Sequence, residues 1–269
     1  MAALGGIAMQ YELGMVFSGG GARGLAHVGV LKALTEEGIE PGCLAATSSG
    51  AIVAALYAAG YTAEEMLGFF ETKNPFRLSK LSLVKPGFID TEKVVADFLE
   101  YFPQDSFEAL GKRLFVTATD IVNARLEIFT AGRLIPAVLA SASVPMVFTP
   151  TEIGGRWFLD GGIVDNFPVE PLLGLCDAIV GVYASPMREI DRSQLKSALA
   201  VSQRAFEVAM YYASRSKFHR CDLVISPPEL SRFGSFDTRD LREVLEVGYE
   251  AGKARVDELR EILSRRRAG

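Results

Sequence analysis

The chain has 269 residues, 49% of them hydrophobic, and 28 lysines and arginines against 33 aspartates and glutamates, a formal charge of −5. That is enough apolar material for one sizeable core, and no Pro/Gly/Ser-rich linker divides it, so a single domain is expected. The acidic balance lacks a basic stripe and excludes nucleic acid as a main partner.

In chain order, "LGMVFS" (13–18) is a short apolar run ending in glycines and reads as a buried parallel strand. "GGGARG" follows, and then "LAHVGVLKALTEEG", with Leu25, Val28, Leu31 and Leu34 at helical spacing and Gly38 as its cap. "CLAAT" (43–47) is a second strand and "SGAIVAALYAAG" a second helix closing at Gly60. Strand, helix, strand, helix in this order predicts an α/β fold with a mostly parallel sheet.

The stretch 69–88, "FFETKNPFRLSKLSLVKPGF", has no clean period and reads either as a lid over an apolar site or as helices joined by loops. Further strands are expected at 113–121, 178–186 and 222–227, and amphipathic helix over 240–263. Residues 187–269 hold 16 basic and 13 acidic side chains. That balance of +3 reads as a solvated helical surface, with contact to anionic lipid as the alternative. The closing "RRRAG" is expected to fray.

Three widely spaced cysteines (Cys43, Cys176, Cys221) and two histidines (His27, His219) argue against a disulfide framework or a zinc site, and no metal or cofactor is expected. The first ten residues lack the positive charge of a signal peptide, and no apolar stretch is long enough to span a bilayer. A cytoplasmic protein is the expectation, with peripheral contact at a membrane left open.

Three stretches could carry chemistry. The glycines of "SGGGARGLAH" (18–27) let the backbone approach a ligand, and the following helix start presents unpaired N–H groups. Either a phosphate or the oxyanion of an attacked ester fits there. No Lys-Ser/Thr follows the glycines, so this is not a nucleotide P-loop. In "GCLAATSSGAIVAAL" (42–56), Ser48 has the small neighbours Ala46 and Gly50 two residues away on either side, as a nucleophile on a strand-to-helix turn needs. A helix N-cap would read the same way. For a base, either His219 or Asp160 is available. The order Ser48, Asp160, His219 suits a Ser–His–Asp triad. Asp160 in "WFLDGGIVDNFPV" would act alone only if desolvation raised its pKa from about 3.9.

Together these pieces resemble the patatin-like phospholipase family. Its oxyanion motif matches residues 19–24, its nucleophile motif residues 47–50, and its Asp-Gly-Gly motif Asp160, Gly161 and Gly162; "LASASVPMVFTP" (139–150) is similar to a further block. The resemblance covers residues 11–250, leaving 1–10 and 251–269 as terminal extensions, and implies a three-layer α/β/α fold with a mostly parallel sheet. It implies a lipid acyl hydrolase with a Ser48–Asp160 dyad, an acyl-serine intermediate and an oxyanion hole from Gly19, Gly20, Gly21, Ala22 and Arg23. The implied partner is a phospholipid or other lipid ester; acyl preference and oligomeric state stay open. Ala46 stands where the family has Gly, so a crowded, slower elbow is expected. A Ser–His–Asp esterase using His219, or a catalytically weak lipid- or anion-binding homologue, are the competing readings.

Overall fold

Strand β1 (Tyr11–Phe17) is apolar on both faces and therefore needs a cover on both. In the computed structural model, which describes residues 10–73, 91–145 and 147–268, it lies at the heart of the sheet. β2 (Cys43–Thr47) pairs parallel along one edge of it and β7 (Cys176–Val182) along the other. β3 (Arg113–Asp120) continues the parallel set beyond β2, and β8 (Leu223–Ile225) beyond β7. The short strands β4 (Arg125–Phe129), β5 (Thr151–Ile153) and β6 (Arg156–Asp160) run antiparallel at the β3 side. The order is β5-β6-β3-β2-β1-β7-β8, with β4 also on β3. The expected mostly parallel α/β sheet is present, and its antiparallel part is confined to the margin that carries Asp160.

Side-chain alternation along the strands sorts the interior into two cores. Leu13, Met15, Phe17, Leu44, Ala46 and Val116 face one way, toward α1 (Leu25–Glu36), α2 (Ser49–Ala58), α3 (Ala63–Thr72), α4 (Thr91–Tyr101) and α5 (Leu134–Ser141). Val16, Cys43, Ala45 and Phe115 face the other way, toward Phe167, Tyr183 and, from α6 (Ala198–Arg215), Tyr211. Helices thus flank a central sheet, as expected. Gly38 (φ +73°) and Gly60 (φ +93°) close α1 and the turn after α2 in the left-handed conformation that glycine adopts without strain.

The amphipathic run at the C-terminus forms two helices, α7 (Leu241–Lys253) and α8 (Val256–Ala268). α7 crosses α1 at backbone contact: a Cβ on Gly248 would stand 2.1 Å from the Ala26 carbonyl oxygen. After a turn at residues 254 and 255, α8 brings Val256, Leu259 and Leu263 into the same core. The expected boundary at 250 therefore falls inside a packed helix. The closing arginines do not fray: they are helical, with Arg266 2.5 Å from Asp222 and Arg267 2.5 Å from Glu12. Of the stretch 69–88, residues 69–72 close α3, while residues 74–88 and the lid question with them lie outside the described residues. Among the described residues no helix is long and apolar enough to cross a membrane.

Candidate active site

β1 and β2 are parallel neighbours, so the loop after Phe17 and the turn after Thr47 emerge at the same rim of the sheet. Ser48 occupies that turn with φ 56° and ψ −128°, a conformation that costs a residue with a Cβ about 1–3 kcal/mol. The surroundings hold it there. Its N–H donates to Ser141 Oγ at 2.8 Å, and its carbonyl accepts the N–H of Ala51 at 2.9 Å, opening α2. One residue earlier, Thr47 Oγ1 donates to the Asp165 carbonyl (2.9 Å) and lies 2.6 Å from Thr117 Oγ1. Ser49 is already helical; its buried hydroxyl has no hydrogen-bond partner among the described residues and packs against Gly24. Strain singles out Ser48 of the two.

Gly50 is the position where the elbow is crowded, since a Cβ there would stand 2.6 Å from the Ser18 carbonyl oxygen. Ala46 differs from the expectation. It is a strand residue beside Phe17 and Val116, its methyl lies in the core, and its φ is not positive. Nothing in the backbone there asks for glycine.

Asp160 ends β6, where pairing with Ala118 fixes its direction. Its N–H donates to the Ser143 carbonyl and its carbonyl accepts Thr119 Oγ1, both at 2.9 Å. The side chain is 7% exposed; it accepts the Gly162 N–H at 2.7 Å, and the Ser48 side chain lies beside it. Burial pushes its carboxyl up to about 6, against the downward pull of the Ser48 side chain and the Gly162 N–H. A carboxylate with that pKa is a competent base near neutrality.

The glycine loop closes the third side. A Cβ on Gly19 would lie 2.9 Å from Ser48 Cβ, so the two backbones touch. The Gly19 N–H donates to Asn166 Oδ1 at 3.0 Å and the Ala22 N–H to the Ser235 carbonyl at 2.7 Å. Two of the expected donors are thus already engaged. Arg23 turns away as well: Nε donates to the Gly20 carbonyl (3.3 Å), and Nη2 to Ser185 Oγ (3.1 Å) and Ser235 Oγ (2.9 Å). Among the described residues, the N–H groups of Gly20 and Gly21 have no partner, and Gly21 (φ +62°) starts the short helical turn that leads into α1. Of residues 19–22, these two carry the N–H groups left unengaged.

Neither histidine joins the pair. His27 is fully buried, stacks on Phe17 at 4.9 Å between ring centroids, and donates from Nε2 to the Ser18 carbonyl at 2.8 Å. Burial holds its pKa down at about 4. His219 sits exposed in the turn Phe218–Arg220 and has no hydrogen bond to Ser48 or Asp160. No group of three or more metal-ligating side chains occurs among the described residues.

The model of the patatin-like phospholipase family matches residues 15–173, which contain the loop, Ser48 and Asp160. The chain belongs to this family. An uncharacterized NTE family protein of Mycobacterium tuberculosis (strain H37Rv) is 30% identical over 188 residues, 67% of this chain and 52% of that protein. The lysophospholipase NTE1 of Coccidioides immitis is 28% identical over 282 aligned positions, 93% of this chain and 18% of that protein. This patatin-like chain thus spans about half the length of the former relative and less of the latter. Its fold is similar to the crystal structure of VipD from Legionella pneumophila, with a TM-score of 0.55 at 16% identity over 93% of this chain and 67% of that one.

In this patatin-like site, Ser141, Asn166 and Ser235 are supports that the sequence alone does not single out. Ser141 lies in the block 139–150, similar to the family, but its hydroxyl is tied to Ser48 only by the packing of α5. Asn166 reads locally as a turn residue.

Proposed function

We propose that this patatin-like protein is a serine lipid acyl hydrolase in which Ser48 is the nucleophile and Asp160 the base. The observation that carries the reading is the buried Asp160 carboxyl beside the Ser48 side chain at a strained elbow, next to two unengaged backbone N–H groups. Asp160 takes the Ser48 hydroxyl proton as Oγ attacks the ester carbonyl carbon. The carbonyl π electrons move to oxygen, where the Gly20 and Gly21 N–H groups stabilise the charge. Collapse breaks the carbon–oxygen bond to the alcohol, which leaves with the proton from Asp160. Asp160 then takes a proton from water, whose oxygen attacks the acyl-serine; the fatty acid departs and Ser48 regains its proton.

A phospholipid or lysophospholipid is the proposed substrate class, because the family name and the lysophospholipase relative both name lipid esters. The site then works at a membrane surface or on dispersed lipid. Fluorophosphonate labelling followed by incubation with a lipid panel in chelator tests the reading. Labelling is expected on Ser48, absent in Ser48→Ala, and fatty acid release is expected to require Ser48. Undiminished labelling or release in Ser48→Ala overturns it.

A further inference from the structure

A cleft of about 290 Å³ adjoins the glycine loop, and its charge is unlike that of the rest of the protein. The chain as a whole carries −5, yet four arginines, Arg23, Arg188, Arg204 and Arg232, line this cleft against a single carboxylate, Glu207. The arginines come from three separate parts of the chain: the loop after β1, the segment around α6, and the segment before α7.

Two of the four, Arg23 and Arg188, have no carboxylate partner among the described residues, and Arg204 has only a long one. Arg23 bonds only to two serine hydroxyls and a carbonyl; it has no ion pair among the described residues. Burial lowers its pKa, the neighbouring charge of Arg188 acts in the same direction, and Glu207 and Tyr183 oppose them. Arg188 is exposed, and no carboxylate pairs with it among the described residues. Arg204 donates from Nη2 to the Arg188 carbonyl at 2.6 Å, and its Nη1 stands 3.7 Å from Glu207. Arg232 pairs at 2.5 Å with Glu243, which is outside the cleft. Planar guanidinium groups with free N–H donors on several sides suit an anion with several acceptor oxygens.

The cleft is lined by residues that support the reacting groups rather than by those groups themselves. Ser185 and Ser235, on its wall, hold the glycine loop through the Gly19 carbonyl and the Ala22 N–H. Met210, which also lines the cleft, places its sulfur 3.4 Å from the Cβ position of Gly162, two residues after Asp160. In a glycerophospholipid the phosphate is joined to the ester by a short glycerol bridge, and the cleft is joined to Ser48 by a short path: Ser185 Oγ donates to the Gly19 carbonyl, and the Gly19 Cβ position lies 2.9 Å from Ser48 Cβ.

We propose that this arginine-lined cleft is a phosphate subsite that takes the headgroup phosphate of a glycerophospholipid or lysophospholipid whose ester lies at Ser48. The assignment rests on the hydrolase reading above. It makes the protein select phosphate-bearing esters over neutral glycerides of the same acyl chain, and Arg188 and Arg204 the side chains that set that choice.

The test compares the full-length protein with Arg188→Gln/Arg204→Gln on palmitoyl lysophosphatidate and on monopalmitoylglycerol. The ratio of kcat/KM for the phosphate ester to that for the glyceride is expected to fall about tenfold or more, as loss of charge-assisted contacts requires. Arg188→Lys/Arg204→Lys is expected to restore part of it. An unchanged ratio overturns the proposal, even if both activities decline together. If the wild-type protein cleaves neither substrate, the hydrolase reading fails and calorimetry with sn-glycerol 3-phosphate judges the cleft by itself. Binding by the wild type that the double Gln variant loses supports the subsite; no binding overturns it. Inorganic phosphate binding as tightly as sn-glycerol 3-phosphate assigns the cleft to free phosphate and overturns the headgroup role.

Discussion

Asn166 holds Gly19: its Oδ1 accepts the Gly19 N–H at 3.0 Å, joining the glycine loop to the segment after Asp160 across 147 positions of sequence. The bond removes one donor from the loop and fixes the plane from which the next two N–H groups project. Asn166→Ala is expected to lower kcat about 10- to 100-fold with little change in KM, because a misaimed donor weakens the transition state more than the bound substrate. Asn166→Asp keeps the acceptor and is expected to recover part of the rate. Steady-state kinetics on a short-chain nitrophenyl ester decides it; an equal loss in KM would point to general disorder of the site.

Asp160 makes activity and stability depend on pH in opposite senses. Its base form is needed for attack, so kcat/KM is expected to rise with pH along a limb of apparent pKa about 6. For stability, the folded pKa of about 6 lies above the ordinary 3.8, so the folded state binds this proton more tightly than the unfolded chain. The resulting stability is complete below about pH 4 and is lost as pH rises through 6, about 3 kcal/mol in all. Asp160→Asn is therefore expected to be inactive and, above pH 7, more stable than wild type by up to that amount, with the gap closing toward pH 4. Urea unfolding across this range measures the gap. His27 has the reverse sign: its pKa falls from 6.5 to about 4, so its contribution is complete above 6.5 and lost as pH falls toward 4. Subtracting the variant from the wild type removes that shared slope.

The backbone at Ser48 stores strain that glycine would not carry. Ser48→Gly and Ser48→Ala both remove the hydroxyl, yet Ser48→Gly is expected to be the more stable by about 1 kcal/mol, because only alanine keeps a Cβ at positive φ. Thermal or denaturant midpoints of the two variants give the comparison. Equal stabilities would mean that the elbow relaxes when the hydroxyl is lost.

Two substitutions separate this site from its sequence-level alternatives. His219→Ala is expected to retain full activity, since the imidazole is exposed and bonded to neither Ser48 nor Asp160. Ala46→Gly is expected to leave kcat within about twofold and to cost about 1 kcal/mol of stability, because it removes a buried methyl and loosens a central strand. A marked gain in rate for Ala46→Gly would restore the crowded-elbow expectation.

Much of the architecture is legible from local pattern. The apolar runs at β1 and β2, the period of α1 and the closing glycines at 38 and 60 are each decided within a few residues by burial and backbone sterics, and the sheet follows from their alternation. Ser48 and Asp160 are also marked locally, by small neighbours and by the glycines after the aspartate. The end of α7 was not so marked. Its amphipathic period runs on past residue 253, and only packing onto the core turns the chain at residues 254 and 255.

By itself, then, the sequence determined the strand–helix order, the elbow serine and the aspartate, because each depends on steric and hydrophobic preferences acting over a few residues. The tertiary structure decided which loop N–H groups remain unengaged, how far burial raises Asp160, and that neither histidine reaches the pair. Those outcomes depend on which donors and acceptors meet across the fold and on how much water is excluded around them, and neither quantity is written in any one stretch of chain.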